Sequence, residues 1–328
     1  MLTALWLVIV LFLAPLPATA QPATRIPRVG VLSPQRSTEP ATVQREPFEQ
    51  GLRESGWAPG TTVVIEYRYA EGDPAQLPRQ AAELVALKVD AIVARGPQAI
   101  RAAHDATTTI PIVMSASADP VRAGFVASLA HPGGNITGLA LFSDDVGSKQ
   151  LEILTEAVPG LARVAVLVNS VMSADQDEPF LRSIRSAPRG SKVETHVFTV
   201  TKAEDIAHAF NAMKRDRANG LLVRPDPNVL EPNLTEVLAQ TLKLRIPAMY
   251  PWRFYVEAGG LMSYATNIPD IHRRSAHYVS RILKGQKPNV LPVELPMKFE
   301  LTINLKTVTA LGLRLPQSVL SRADEILQ

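Results

Sequence analysis

Two stretches far apart in the chain close in the same way. Residues 107–114 read TTTIPIVM and residues 243–250 read KLRIPAMY. In each, a helical pattern stops, a proline opens a short apolar strand, and a loop follows. Proline lacks a backbone donor and is tolerated in a sheet at a first strand position. A device used twice predicts two bodies of similar design, not one enlarged sheet.

The residues ahead of each device fit that expectation. In the first half, RVGVL at 28–32 reads as a buried strand closed by Ser33 and Pro34. A helix covers part of 43–55, with Phe48 and Leu52 inward and Pro47 limiting its start. A strand at 63–67, a helix stripe of Leu77, Ala81, Leu84 and Val85, a strand at 90–94 and a helix at 98–106 follow. Strands alternating with helices at short spacing predict a parallel sheet with right-handed crossovers. A further helix is predicted at 121–130, then a tight turn at 131–135. In the second half, strands are predicted at 163–168, 193–200 and 220–223. Helices built on Leu151 and Leu154, on 175–186, on Ile206, Phe210 and Met213, and on Leu234 and Leu238 alternate with them. Thr201 and Glu204 have capping-box spacing.

The chain then continues. A helix is predicted after Asp270, taken as its N-cap, with Ile271, Ser275, Tyr278, Val279 and Ile282 on one face and Gly285 as its stop. A proline-punctuated run over 288–296 leads to a short helix headed by Asn304 and stopped by Gly312. The expected organisation is a first lobe of 26–138 plus part of 263–328, a second lobe of 139–262, and 288–312 as a clamp across the hinge. Crossings are expected near Gly138 and again at 259–264.

Composition narrows the function. The net charge of +3 is spread without a Lys/Arg block, which gives no field of the kind nucleic acid requires. Cysteine is absent, which excludes disulfides, thiol chemistry and a lipid-bearing cysteine. The apolar run at 5–14 and the Ala18-Thr19-Ala20 sequence resemble an export signal cleaved after Ala20, which predicts a periplasmic protein.

Catalytic parts are missing. The six histidines form no HExxH, and His272 and His277, five apart, read as solvated or partly packed helix residues on different faces. Asp144 and Asp145 read as a loop or cap pair. Ser33, Ser115 and Ser117 have no GxSxG elbow, and there is neither GxGxxG nor a phosphate-binding GxxxxGK loop. No catalytic residue, metal or cofactor is predicted. A binding cleft asks less: hydroxyls, amides, a few charges and an aromatic plate beyond the strand ends. The candidates are Ser33, Gln98, Ser117, Asp119, Asn169, Asp226, Trp252 and Tyr264. Arg95 is the expected partner of a ligand carboxylate, and Asp119 or Asp226 of an ammonium.

Several phrases carry a resemblance. GLRESGWAPGTTVVIEYRYAEGD, HPGGNITGLA, RIPAMYPWRFYVEAGGLMSYATN and the long tail from RRSAHYVSRILKG to GLRLP are similar to the periplasmic substrate-binding proteins of ABC importers, which include aromatic amino-acid binders. The resemblance implies two Rossmann-like α/β lobes with parallel sheets, joined by a multi-crossing hinge in the type I periplasmic binding protein manner. It implies closure over one small solute and transient docking of a monomer on an inner-membrane permease. It assigns Gly133, Gly134, Asn135, Thr137 and Gly138 to the first crossing. Gly259, Gly260 and Ser263 fall to the return, and Phe299, Asn304 and Lys306 to the clamp. Two positions depart from the family pattern: Arg95 heads a loop where small residues are common, and Ala265 stands where glycine is usual. A ligand-sensing module for a receptor and a hydrolase on the same fold are the alternative functions.

Overall fold

The computed structural model describes residues 25–38, 41–117, 119–141, 146–169, 174–185, 193–226 and 229–328. The expected export signal and the Asp144–Asp145 pair lie outside these residues.

Burial on both faces explains why the first strand reads as an unbroken apolar run. It is β1 (Arg28–Ser33), followed by α1 (Ala41–Glu54), β2 (Val64–Tyr69), α2 (Leu77–Ala86), β3 (Ala91–Arg95), α3 (Gly96–Ala106), β4 (Ile112–Ser117) and β5 (Ile136–Ala140). These strands pair in the order β2-β1-β3-β4-β5, all parallel. Leu84, Ile100 and Ala103 of α2 and α3 fill one face. Phe48 and Leu52 of α1 fill the other, beside residues from much later in the chain.

The second body runs α4 (Val146–Ala157), β6 (Arg163–Asn169), α5 (Ala174–Arg185), β7 (Glu194–Val200), α6 (Glu204–Arg215), β8 (Gly220–Val223), α7 (Leu234–Leu244), β9 (Ala248–Tyr250), α8 (Arg253–Glu257) and β10 (Met262–Thr266). Then α9 (Ile268–Leu283) returns to the first sheet, where Ile271, Ala276, Tyr278, Val279 and Ile282 pack with α1. The chain goes back once more through β11 (Phe299–Asn304), α10 (Leu305–Leu311), α11 (Gln317–Leu320) and β12 (Glu325–Leu327). The second sheet has the order β12-β11-β10-β9-β8-β6-β7 and is parallel except at β10–β11. That pair is antiparallel because α9 and the following strap carry the chain to the first lobe and back.

Three passages therefore link the lobes: after β5, between β10 and α9, and between α9 and β11. They lie side by side. Ala140 N donates to Glu294 O at 2.9 Å and Glu294 N to Gly138 O at 3.0 Å. Thr266 Oγ1 donates to Leu141 O at 2.7 Å, and Asn267 N to Lys298 O at 3.2 Å. Thr137 Oγ1 donates to Leu291 O at 2.6 Å. Gly138 has φ +131°, and a Cβ there would stand 2.3 Å from Met114 O, so only glycine fits. The crossing expected at Gly138 thus falls inside β5. The 288–312 stretch divides into a tight turn at Pro288–Val290, the strap, β11 and α10.

Local expectations fail at three points. Residues 121–130 form successive turns instead of a helix. Gly124 has φ +73°, and Gly124 N and Phe125 N donate back to Val121 O and Pro120 O. The cap of α9 is Asn267, whose Oδ1 accepts from Asp270 N at 2.6 Å. Ahead of α6 it is Asp205, not Glu204, that accepts from Thr201 N and Oγ1, at 2.9 and 2.6 Å.

Asn304 ties the strap's far end down. Its Oδ1 accepts from Thr307 N at 3.2 Å and its Nδ2 donates to Val256 O at 3.1 Å. Asn304→Ala removes the cap of α10 and leaves a buried carbonyl without its donor. The expected loss is about 2 kcal/mol, read as a lower denaturant midpoint with an unchanged slope.

Candidate functional site

In a parallel sheet, the strand ends that precede the helices converge on one edge, and ligands bind there. In the first lobe this edge carries Ser33, Arg95, Ser115 and Ser117, all buried. Ser33 Oγ is turned back to Gln35 Oε1 at 2.9 Å. The register slips between Ser115 and Ser117, and Ala116 at the slip has φ +75°, a strained value for a residue with a Cβ. The bulge lets Ser117 O accept from Leu141 N at 2.7 Å, which couples the edge to the first passage.

Ser115 Oγ stands 2.8 Å from His272 Nδ1, brought in by the first turn of α9. His272 is 3% exposed, more deeply buried than the solvated or partly packed helix residue expected of it. Burial holds its imidazole well below the usual range, and the Arg95 guanidinium adds to that. The ring is neutral and serves as a hydrogen-bonding support. His277 is half-buried, with Nδ1 2.8 Å from Ser55 Oγ. The first-lobe wall thus offers one buried cation, Arg95, among hydroxyls.

The second-lobe wall is acidic. Asp226 is fully buried after β8; its carboxylate accepts from Asn169 Nδ2 at 3.1 Å and from Val229 N and Leu230 N at 2.9 Å. Trp252 Nε1 donates to Glu231 Oε1 at 2.7 Å. Burial pushes the Glu231 carboxyl above its ordinary value against the opposing Trp252 hydrogen bond, and the charge of Asp226 adds to the rise. Tyr250 and Tyr255 stack behind, ring centroids 5.2 Å apart.

Ser33, Arg95 and Ser117 therefore share one edge, and Asn169, Asp226 and Trp252 share the other. Gln98 and Asp119 are exposed, and Asp119 caps a turn by accepting from Arg122 N at 3.0 Å. The Tyr264 ring stacks on Phe299 at 5.4 Å and packs on the second core, while its carbonyl accepts from Gln150 Nε2. Gly133 has φ +83° and Gly259 φ +111°. Asn135 Nδ2 bridges Thr107 O and Ile110 O, Gly260 abuts the Tyr250 ring, Ser263 is buried in β10, and Lys306 is exposed on α10. Glu231, Tyr255 and the Ser115–His272 pair were not found from sequence. Only the position of Glu231 five residues past Asp226, beyond a strand end, could have pointed to it.

Two open hollows lie elsewhere, one lined by Pro27, Asp90 and Pro288 at the opposite edge of the first sheet, the other beside α10. Among the described residues no three His, Asp or Glu gather to hold a metal ion, and no helix is long and apolar enough to cross a membrane.

Residues 37–327 match the family model described as ABC transporter substrate binding protein. A tyrosine-binding protein of Clostridioides difficile (strain R20291) is 24% identical over 269 residues, covering 81% of this chain and 76% of that protein. The ABC domain from Streptococcus pneumonia, solved in complex with L-Trp, is 26% identical with a TM-score of 0.78, covering 92% of this chain and 99% of that one. The ligand-free, open structure of a substrate binding protein with adhesive properties from Clostridium difficile is 22% identical with a TM-score of 0.76, covering 92% of this chain and 100% of that one.

Proposed function

The chain belongs to the ABC transporter substrate-binding protein family, whose non-catalytic members capture a small molecule outside the cytoplasm, and on that premise we propose that its solute is an aromatic amino acid. The observation that carries this reading is the pairing of a buried cation, Arg95, on one strand-end edge with the carboxylates of Asp226 and Glu231 on the other. A zwitterion lying across the gap satisfies both. Trp252, with Tyr250 and Tyr255 behind it, supplies aromatic surface. The names of two relatives point the same way: one binds tyrosine, and the other was solved with L-Trp.

Capture is a shift of population. The solute settles on one lobe and closure adds contacts from the other. Only a solute that favours the closed state can report occupancy to the permease. The closed monomer docks on that permease in the inner membrane, after export and cleavage at Ala20 place it in the periplasm.

Native purification followed by mass spectrometry of the released solute tests the reading directly, with calorimetry against the twenty L-amino acids as its complement. One aromatic amino acid bound per chain is the expected outcome. A folded protein that retains nothing and binds none of the twenty at millimolar concentration refutes the reading.

A further inference from the structure

The chain has seven methionines and no cysteine, so thioethers are its most readily oxidised sulfur. Met1 and Met172 lie outside the described residues. Met114, Met213, Met249 and Met262 are each 0% exposed, inside the cores of the two lobes. Met297 is 83% exposed, more than any other large apolar side chain among the described residues. One exposed apolar residue is ordinary. Its neighbours set this one apart.

Met297 stands on the strap, between two anchorages. Ahead of it the strap is tied to α9: Tyr278 Oη donates to Pro292 O at 2.6 Å, and the Arg274 guanidinium pairs with Glu294. Just past it, Asn267 N donates to Lys298 O at 3.2 Å, where β11 is about to join β10. Residues 295–297 span the distance between. Met297 Sδ lies 3.9 Å from Arg274 Nη2, the same nitrogen that meets Glu294. A thioether sulfur is a weak acceptor, so this contact contributes little as it stands.

We propose that Met297 is a modification site, at which an oxidant of the peroxide class converts the thioether to a sulfoxide whose oxygen accepts from the Arg274 guanidinium. Sulfur gives a lone pair to one peroxide oxygen, the S–O bond forms and the O–O bond breaks. The second oxygen leaves as water with both peroxide protons. Sulfur is oxidised by two electrons and the peroxide is reduced by two. The change is reversible by a methionine sulfoxide reductase. Its dithiol returns the two electrons, removes the oxygen as water and becomes a disulfide. With no cysteine in this chain, that dithiol belongs to a separate protein.

Exposure selects Met297, because the oxidant reaches its sulfur without any opening of a core. The product differs in kind from the reactant. A sulfoxide oxygen is a strong acceptor, and a bond from a charged donor is roughly twice as strong as a neutral one. Arg274 then holds the strap at 297 as well as at Glu294, which fixes the spanning residues to α9 and the first lobe.

The test starts with the full chain in dilute hydrogen peroxide, followed by peptide mapping. Met297 is expected to gain one oxygen at least about tenfold faster than Met114, Met213, Met249 or Met262. In concentrated guanidinium chloride the five should react alike. Equal rates in the folded chain overturn the site. The contact with Arg274 has its own readout. Oxidation should raise the unfolding midpoint by about 2–4 °C, and a methionine sulfoxide reductase with dithiothreitol should restore the original value. Met297→Leu, treated alike, should show no rise, which removes any contribution from Met172. Arg274→Gln, compared with its own untreated form, should be oxidised at 297 and show no rise either. A midpoint that stays or falls in the native chain, or that rises equally in Arg274→Gln, overturns the sulfoxide–guanidinium contact.

Discussion

Gly51→Ala is expected to lower the unfolding midpoint by about 4–8 °C. The usual sign for this change is the opposite, because alanine is about 1 kcal/mol better than glycine in a helix interior. Gly51 lies within α1 where α9 crosses it closely. A Cβ there would meet Arg273 O at 2.1 Å and the Ala276 Cβ at 2.8 Å. The first neighbour is backbone and cannot rotate away. Relief requires α9 to shift as a body, which strains the packing of Ile271, Ala276 and Val279 on the first sheet. Overpacking of this kind costs about 3 kcal/mol, more than propensity returns, and in a chain of this size each kcal/mol moves the midpoint about 2–4 °C. The control is Gln50→Ala, one residue away on the exposed side of the same helix. Since α9 lies between the second and third passages, solute affinity should fall as well. A raised midpoint would show that α1 and α9 do not approach as closely as described.

Arg95→Gln is expected to weaken aromatic amino-acid binding about 100- to 1000-fold, in line with the 2–5 kcal/mol lost when one partner of a desolvated charge pair is removed. Arg95→Lys keeps the charge but loses the two-pronged geometry, and should recover only part of the affinity. A second readout is independent of solute. The guanidinium is one of two causes that hold the His272 imidazole low, after burial. Its removal should move the His272 titration upward, toward the ordinary histidine value, as followed by NMR. Unchanged affinity in Arg95→Gln would remove Arg95 from the site, whatever His272 does.

Much of the architecture was legible because it rests on short-range periodicity. The apolar runs at 28–32 and 163–168 could only be buried parallel strands, and the repeated proline-headed strand announced two bodies. What sequence left unreadable depends on distant partners. Asp270 and Asn267 are equally good caps by residue type; the passage beside Lys298 and Glu300 selects Asn267, whose Nδ2 donates to Glu300 Oε1 at 2.5 Å. Residues 121–130 have helical composition, but Pro120 and Gly124 bend them into turns. At the site, Asp226 and Trp252 stood out as polar or aromatic residues just past strands. Tyr255 and Glu231 did not, because a tyrosine two residues into a short helix and a glutamate before a proline look ordinary. The full burial of His272, expected to be solvated or partly packed, was not legible because it is created by Ser115 and Arg95, more than 150 residues earlier in the chain.

The position of α9 bears on the order in which the molecule can assemble. One face of the first sheet is closed by α1 together with Ile271, Tyr278 and Ile282, which a ribosome makes after nearly the whole second lobe. Residues 25–141 alone leave the part of that face under α9 wet, so a truncated N-terminal piece lacks part of its own interior. A nascent chain built this way cannot lock its earliest-made half until it is almost finished, and until then it can still be threaded through a narrow pore.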